Sequence, residues 1–317
     1  MKTVHFWKKM DERSINDRVV AALGQNVQYA EQEVLGLPAS HLDTEVFEHH
    51  AAMLKDAPYL NTLWQNPNHI GCHTLGASEP FFKGTQALER EVIDICASDI
   101  LHALPGSVDG YVAAGGTEAN IQAVWVYRNR FMREMGATPA EMILLCTADA
   151  HYSMDKAADL LMMDICRIPV HPHTRSVDPP DVDATLARLK ASGKRYVIVV
   201  ATMMTTMFGS VDDPDVLTEA LKRSGMLFCL HVDGAYGGFY FPFTGVVHRL
   251  DFRNPHVTSI TLDAHKMAQA PYGTGIFLIR KGYIQYANTR TARYVAGEDF
   301  TLSGSRSGAN AVAIWMI

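Results

Sequence analysis

Between residues 141 and 280 the chain alternates short apolar, β-rich runs with amphipathic helical stretches, and this alternation restricts the possible folds more than any other feature. EMILLCT (141–147), DICRIPV (164–170), RYVIVVAT (195–202), MLFCLHVD (226–233) and SITLD (259–263) read as strands. SMDKAADLLMM (153–163), DVDATLARLK (181–190) and DPDVLTEALKRSG (213–225) carry apolar residues at helical spacing, the last closing on Gly225 as a C-cap. Strands separated by helices of this length predict a mainly parallel sheet covered on both faces. In such sheets ligands bind beyond the carboxyl ends of the strands, so the residues following each run are the candidates for chemistry.

Those positions hold a coherent set. VDGYVAA (108–114) leads into GGTEAN, where Gly115 and Gly116 permit close backbone approach and Thr117 opens a long helix. Free N–H groups and the helix dipole suit a phosphate there, although a plain helix start with a tight turn uses the same residues. His151 follows EMILLCTADA, in a structural or a functional role. Asp233 ends an apolar strand, where ionisation is costly unless a cation faces it. Lys266 stands in TSITLDAHKMAQAPYGTGIFLIR (258–280), either as an exposed loop lysine or as an amine used as a nucleophile toward a carbonyl. Asp233 and Lys266 end successive strand-like runs, so they can share a cleft as an ion pair or as parts of one site. A phosphate cradle, a flat imidazole, a buried acid and a lysine are together what pyridoxal phosphate requires.

Composition narrows the partners. The 317 residues are 48% hydrophobic and 20% charged, the balance of an ordinary globular protein. A net charge of −6 argues against a general nucleic-acid binder. The five cysteines are widely spaced without a C-x-x-C pair, so neither a zinc site nor a redox motif is expected. MKTVHFWKKMDERSIND lacks the apolar segment of a secretory signal, and the stretch from Tyr196 to Phe208 is too short to span a bilayer. No membrane partner is expected, and the expected location is cytoplasmic.

GGTEAN, the histidine of DAHYSMDKAADLL, HVDGAYGG, LDAHK before a glycine-containing strand, and GSRSGANA occur in the order and at roughly the spacing of a known family. From NPNHIGCHTLG (66–76) to the last residue the chain resembles the pyridoxal-phosphate-dependent group II amino-acid decarboxylases. It is most similar to archaeal tyrosine/aspartate decarboxylases and to sphingosine-phosphate-lyase-like enzymes. The resemblance implies an α/β fold of the fold-type I, aspartate-aminotransferase-like class with a mainly parallel seven-stranded sheet. It implies pyridoxal 5'-phosphate as cofactor, an L-amino acid as substrate and release of CO₂ as the reaction. Tyrosine or another aromatic amino acid leads as substrate, followed by aspartate or glutamate. The alternatives are a carbon–carbon aldehyde lyase and a non-catalytic protein of the same fold.

Residue by residue, the resemblance makes Lys266 the Schiff-base lysine and Asp233 the partner of the pyridine nitrogen. His151 stacks on one ring face and Ala235 lies against the other. Gly116, Thr117 and His265 hold the phosphate, and Ser305 reaches the phosphate of a neighbouring subunit in a homodimer. Thr206 lies near the ring oxygen or Asp233, with Thr202 as a competitor. His69 and His73 border the substrate or are structural. Tyr294 is the candidate to return a proton to the substrate carbon, with Tyr283 and Tyr286 nearby in sequence. Two departures stand out: Gly234 where relatives carry alanine, and Asp263 where several carry a small hydroxyl residue. Because Asp263 would repel a phosphate, it is expected to point away or to accept backbone hydrogen bonds.

The domain reading is an N-terminal helical segment (1–65), a large cofactor domain (66–306) and the start of a helix (307–317). ANAVAIWMI has no glycine, proline or basic last turn. Compared with the family, it leads toward a C-terminal domain that this chain lacks, which implies a truncated product with exposed apolar surface around Trp315 and Ile317.

Overall fold

The computed structural model describes residues 10–29, 56–76, 80–287 and 298–317, together with residues 31, 32, 34, 41–43, 45–47 and 54. Its main sheet contains β2 (Val108–Ala113), β3 (Met142–Thr147), β4 (Asp164–Ile168), β5 (Tyr196–Thr202), β6 (Leu227–Gly234), β7 (Val257–Asp263) and β8 (Gly275–Arg280). The order across the sheet is β2-β8-β7-β6-β5-β3-β4. β4, β3, β5, β6 and β7 run parallel, whereas β8 is antiparallel to both of its neighbours. All five expected strands are present, and the seven-stranded, mainly parallel sheet is the architecture of the class.

Differences at element ends have local causes. β4 stops at Ile168 because the next residue, Pro169, has no N–H to give to the ladder. The helix expected over 153–163 is α5 (Ser153–Leu160), and the chain leaves it with Met162 at φ 53°. α6 (Pro179–Ala191) starts earlier than the apolar spacing suggested, with proline in its first turn. α7 (Pro214–Ser224) is capped by the Asp213 side chain at one end and by Gly225 at φ 71° at the other.

The sheet is apolar on both faces. On one side Val199, Leu230, Ile260 and Leu278 pack toward α6, α7 and the helix α3 (Lys83–Asp94). On the other, Leu144, Ile198, Val200 and Phe277 pack under α4 (Gly116–Met135) and α5. Each fully buried side chain of this size contributes about 1.5–3 kcal/mol. None of the described helices is long and apolar enough to cross a membrane.

α1 (Glu12–Leu23), α2 (Pro58–Gln65) and α8 (Gly308–Met316) form a layer against α3, where Val19, Ala22, Leu23, Leu88 and Val312 make a separate apolar cluster. A two-stranded sheet joins β1 (Asn68–Ile70) antiparallel to β9 (Ser305–Ser307). Trp315 departs from the expected exposure: it packs against this cluster, and its indole N–H donates to Glu91 Oε2 at 2.7 Å. Ile317 is 68% exposed. The cysteines are free thiols, four of them buried.

Candidate active site

The carboxyl ends of β5, β6 and β7 and the N-terminus of α4 open onto one cavity of about 570 Å³. Its wall includes eight residues singled out from the sequence: Gly116, Thr117, His151, Thr206, Asp233, Ala235, His265 and Lys266. Asn120, Thr202, Asp263 and Tyr272 line it as well, and of these the sequence points only to Thr202, as the competitor of Thr206, and to Asp263, as a departure near the phosphate.

At one end the backbone forms a cradle. A Cβ built on Gly116 would lie 2.8 Å from Ala235 Cβ and 2.8 Å from Asp263 Oδ2, so only glycine fits between β6, β7 and α4. β8 crowds the same loop, since a Cβ on Gly275 would meet Gly115 Cα at 2.5 Å. This leaves the first N–H groups of α4 facing the cavity, where an intrahelical partner is lacking by construction. His265 Nδ1 and Asp263 Oδ1 are buried here with no hydrogen-bond partner among the described residues.

The lysine follows β7 in a tight turn closed by the Lys266 N–H on the Asp263 carbonyl at 3.2 Å. That turn swings Nζ back to 3.0 Å from Asp263 Oδ2. Asp263 therefore faces the cavity with Oδ1 unpartnered, contrary to the expectation that it points away or accepts backbone hydrogen bonds. The nearby ammonium, with His265 Nε2 at 3.6 Å, supplies the counter-charge that makes this orientation tolerable. Burial pushes the Asp263 carboxyl up, with Lys266 and His265 pulling in the other direction. The Asp233–Lys266 ion pair considered from the sequence does not form.

Asp233 is 4% exposed and is held by neutral donors. Oδ2 accepts from Asn120 Nδ2 at 2.9 Å, and Oδ1 accepts from the Ala235 N–H at 3.1 Å. Thr202 lies opposite it in the β5–β6 register and is buried, whereas Thr206 is exposed at the cavity wall. Thr202, the competitor, thus takes the place beside Asp233, because it belongs to the strand while Thr206 lies in the loop beyond. His151 is half-buried. Its Nδ1 accepts from the Ser153 N–H at 3.2 Å, and burial lowers its pKa.

Other candidates lie elsewhere. His69 and His73 do not line the cavity; both are 1% exposed behind α3. His69 Nδ1 is 2.6 Å and His73 Nε2 3.3 Å from Glu89 Oε2. Glu89 also accepts from Arg306 Nη1 at 2.7 Å and from the Val112 N–H at 2.8 Å. A buried guanidinium neutralises that carboxylate, so the cluster is an ionic knot away from the cavity. Ser305 is exposed on β9, off the cavity wall, with its Oγ 3.3 Å from Asn68 Nδ2. Tyr283 packs edge-on to Tyr127 and Tyr286 bonds Glu134, both away from the cavity. Tyr294 lies outside the described residues. Asn120 could have been found from its sequence position, since it follows Gly116 by one helical turn and so shares its face.

Parallel sheet, glycine cradle at a helix start, imidazole, buried acid and lysine on one cavity define a pyridoxal-phosphate enzyme of the aspartate-aminotransferase-like class. The orphaned His265 nitrogen beside the first N–H groups of α4 suits the phosphate, and the donor-held Asp233 carboxylate suits a ring N–H. The chain belongs to the pyridoxal-dependent decarboxylase family, whose conserved domain matches residues 68–316. It is 46% identical over 312 residues to a tryptophan decarboxylase of Clostridium sporogenes, covering 98% of this chain and 75% of that protein. A probable L-tyrosine/L-aspartate decarboxylase of Methanothrix thermoacetophila is 34% identical over 276 residues, covering 83% of this chain and 67% of the relative. Among solved structures, a Burkholderia pseudomallei sphingosine-1-phosphate lyase superposes with a TM-score of 0.63 at 27% identity, covering 74% of this chain and 54% of the lyase chain. An L-methionine decarboxylase from Streptomyces sp. 590 superposes with a TM-score of 0.71 at 19% identity, covering 96% of this chain and 73% of that one, a likeness of fold.

Proposed function

We propose that this chain removes CO₂ from an L-amino acid to leave the amine, using pyridoxal phosphate carried by Lys266, with tryptophan as the leading substrate. The observation that carries this reading is the convergence of Lys266, Asp233, His151 and the Gly116 cradle on one cavity. The 46% identity to a tryptophan decarboxylase across nearly the whole chain supports the choice of an indole side chain. When bound, the cofactor supplies a conjugated ring that accepts the electrons of the bond broken at Cα.

In this reading Lys266 Nζ would hold the cofactor, and Tyr294, which lies outside the described residues, is the candidate to give the reacting carbon its proton. Asp233 keeps a proton on the ring nitrogen, an opposite charge stabilising the charged form. His151, whose cation is disfavoured by burial, and Ala235 would hold the ring between them. The first N–H groups of α4 at Gly116 and Thr117 hold the phosphate with His265. Thr202 supports the Asp233 end, and Thr206 stands at the cavity wall. Substrate orientation selects which Cα bond is broken, because only a bond perpendicular to the ring delivers its electrons into it. Ser305, exposed on β9, is assigned to the phosphate of a second copy in a homodimer. The free thiols support a reducing, cytoplasmic setting.

The test is release of labelled CO₂ from a panel of L-amino acids, with tryptophan expected first and other aromatic amino acids next. Borohydride should fix the cofactor on Lys266, and Lys266→Ala should abolish both fixation and turnover. The second reading, aldehyde release from a phosphorylated amino alcohol, is motivated by the 27% identical lyase. It prevails if no amino acid yields CO₂ and a phosphorylated long-chain base yields aldehyde. Sedimentation of the loaded protein tests the homodimer.

A further inference from the structure

Behind the cavity wall, buried polar side chains from four elements form one directed hydrogen-bond chain. Asn120, on α4, is 1% exposed. Its Nδ2 donates to Asp233 Oδ2 at 2.9 Å and to Ser153 Oγ at 3.0 Å. Its Oδ1 is 2.9 Å from His231 Nε2. On the far side, His231 Nδ1 lies 2.6 Å from Ser259 Oγ, which accepts from Tyr127 Oη at 2.5 Å. Asn120, Ser153, His231, Ser259 and Tyr127 are almost wholly buried, so no water replaces a lost partner.

The direction of every bond follows from the donor inventory. Ser259 accepts the tyrosine proton and so gives its own to His231 Nδ1. Burial lowers the His231 pKa to about 4, leaving a neutral ring whose single proton is on Nε2 and points at Asn120 Oδ1, with Thr261 Oγ1 at 3.3 Å sharing it. The amide cannot turn over, because its carbonyl would then face the Asp233 carboxylate and its NH₂ the His231 donor. Ser153 Oγ, accepting from Asn120, has its proton free for His151 Nδ1 at 3.0 Å, which also accepts from the Ser153 N–H at 3.2 Å.

We propose that Asn120 is a positioning residue for the reaction: its one amide fixes the carboxylate of Asp233 and, through the Ser153 hydroxyl, adds to the Ser153 N–H in keeping the proton of His151 on Nε2. The proposal rests on the roles given above to Asp233 and His151. It adds that the acid at the ring nitrogen and the imidazole at the ring face are set by the same side chain. His231, Ser259 and Tyr127 serve to orient that side chain.

The experiment compares the wild-type chain with Asn120→Leu, which removes the amide at similar volume, and Asn120→Asp. In cofactor-free protein labelled with ¹⁵N-histidine, wild-type His151 should show the Nε2–H tautomer, and Asn120→Leu should move part of the population to Nδ1–H. An unchanged His151 signal overturns the proposal whether or not the protein binds cofactor. With ¹⁵N-pyridoxal phosphate, the ring-nitrogen resonance of Asn120→Leu should move toward the unprotonated value. Cofactor affinity should fall about tenfold or more, as for a lost hydrogen bond to a charged group. kcat should fall with little change in KM. A lowered melting temperature with wild-type ring-nitrogen resonance and kcat would make Asn120 purely structural and overturn the proposal. Should the leucine variant not fold, Asn120→Asp carries the test. Beside Asp233 its carboxyl takes up a proton readily and then replaces the N–H donor, so its activity relative to wild type should rise from about pH 8 to about pH 6. A ratio independent of pH overturns the proposal. Failure of wild-type protein to take up pyridoxal phosphate sinks the reading of the site instead, and the histidine spectra still decide the role of Asn120.

Discussion

Lys266 Nζ lies 3.0 Å from Asp263 Oδ2, three residues back along the same turn, while Asp233 is held by the Asn120 amide and the Ala235 N–H. Two buried acids thus flank one cavity with different partners. Asp263 balances the lysine, and Asp233 is left free to face a cation brought by a ligand.

Because Asp263 Oδ2 also borders the glycine cradle, its charge opposes an arriving phosphate. Asp263→Asn should raise the affinity of the cofactor-free protein for inorganic phosphate by about threefold to tenfold, the scale of one partly screened charge contact. Titration calorimetry reads this directly, and unchanged or weaker binding would refute it.

Gly116→Ala should fold with difficulty and bind cofactor poorly. Its Cβ would sit 2.8 Å from Ala235 Cβ and from Asp263 Oδ2, so the helix start must retreat. Overpacking of this kind costs about 1–3 kcal/mol. Thermal unfolding and spectrophotometric titration with pyridoxal phosphate should both register the change, and wild-type affinity would contradict the tight cradle.

Glu89→Gln should lower stability to denaturant by about 3–5 kcal/mol, the cost of leaving one partner of a buried pair uncompensated. Glu89 joins Arg306 on β9, the Val112 N–H at the end of β2, and His69. Burial pushes its carboxyl up, but Arg306 and then His69 outweigh this and hold it well below the usual range. For a depressed acid the stabilisation is fully present above the unfolded pKa and is lost as pH falls through the folded one. A loss under about 1 kcal/mol in urea unfolding would show that the knot contributes little.

Stability should fall as pH drops from about 6.5 to about 4 because of two histidines. Burial lowers His73 to about 3 and His231 to about 4. In that window the unfolded chain binds protons that these folded rings refuse, so unfolding is favoured as pH falls. Each contributes up to about 1.36 kcal/mol per pH unit to the slope. His73→Gln should flatten the curve by about one such increment, and an unaltered slope would show that His73 already takes up its proton in the folded state.

The alternation of strand and helix, the cap at Gly225 and the run of chemistry-bearing residues at strand ends were legible in the sequence. Hydrophobic period and turn chemistry are properties of neighbouring residues, and a parallel sheet carries whatever follows each strand to one edge. For that reason the sequence alone gathers Lys266, Asp233, His151 and Gly116 into one cavity. What only the tertiary structure decided was pairing. It chose Asp263 over Asp233 for the lysine, put Thr202 beside Asp233, packed Trp315 against α1 and α3, and drew His69 and His73 behind α3 onto Glu89. Asn120 meets partners 33, 111 and 113 residues away along the chain. Hydrogen bonds and ion pairs are decided within about 3 Å, a distance set by how separate elements dock and not by the period of any one of them.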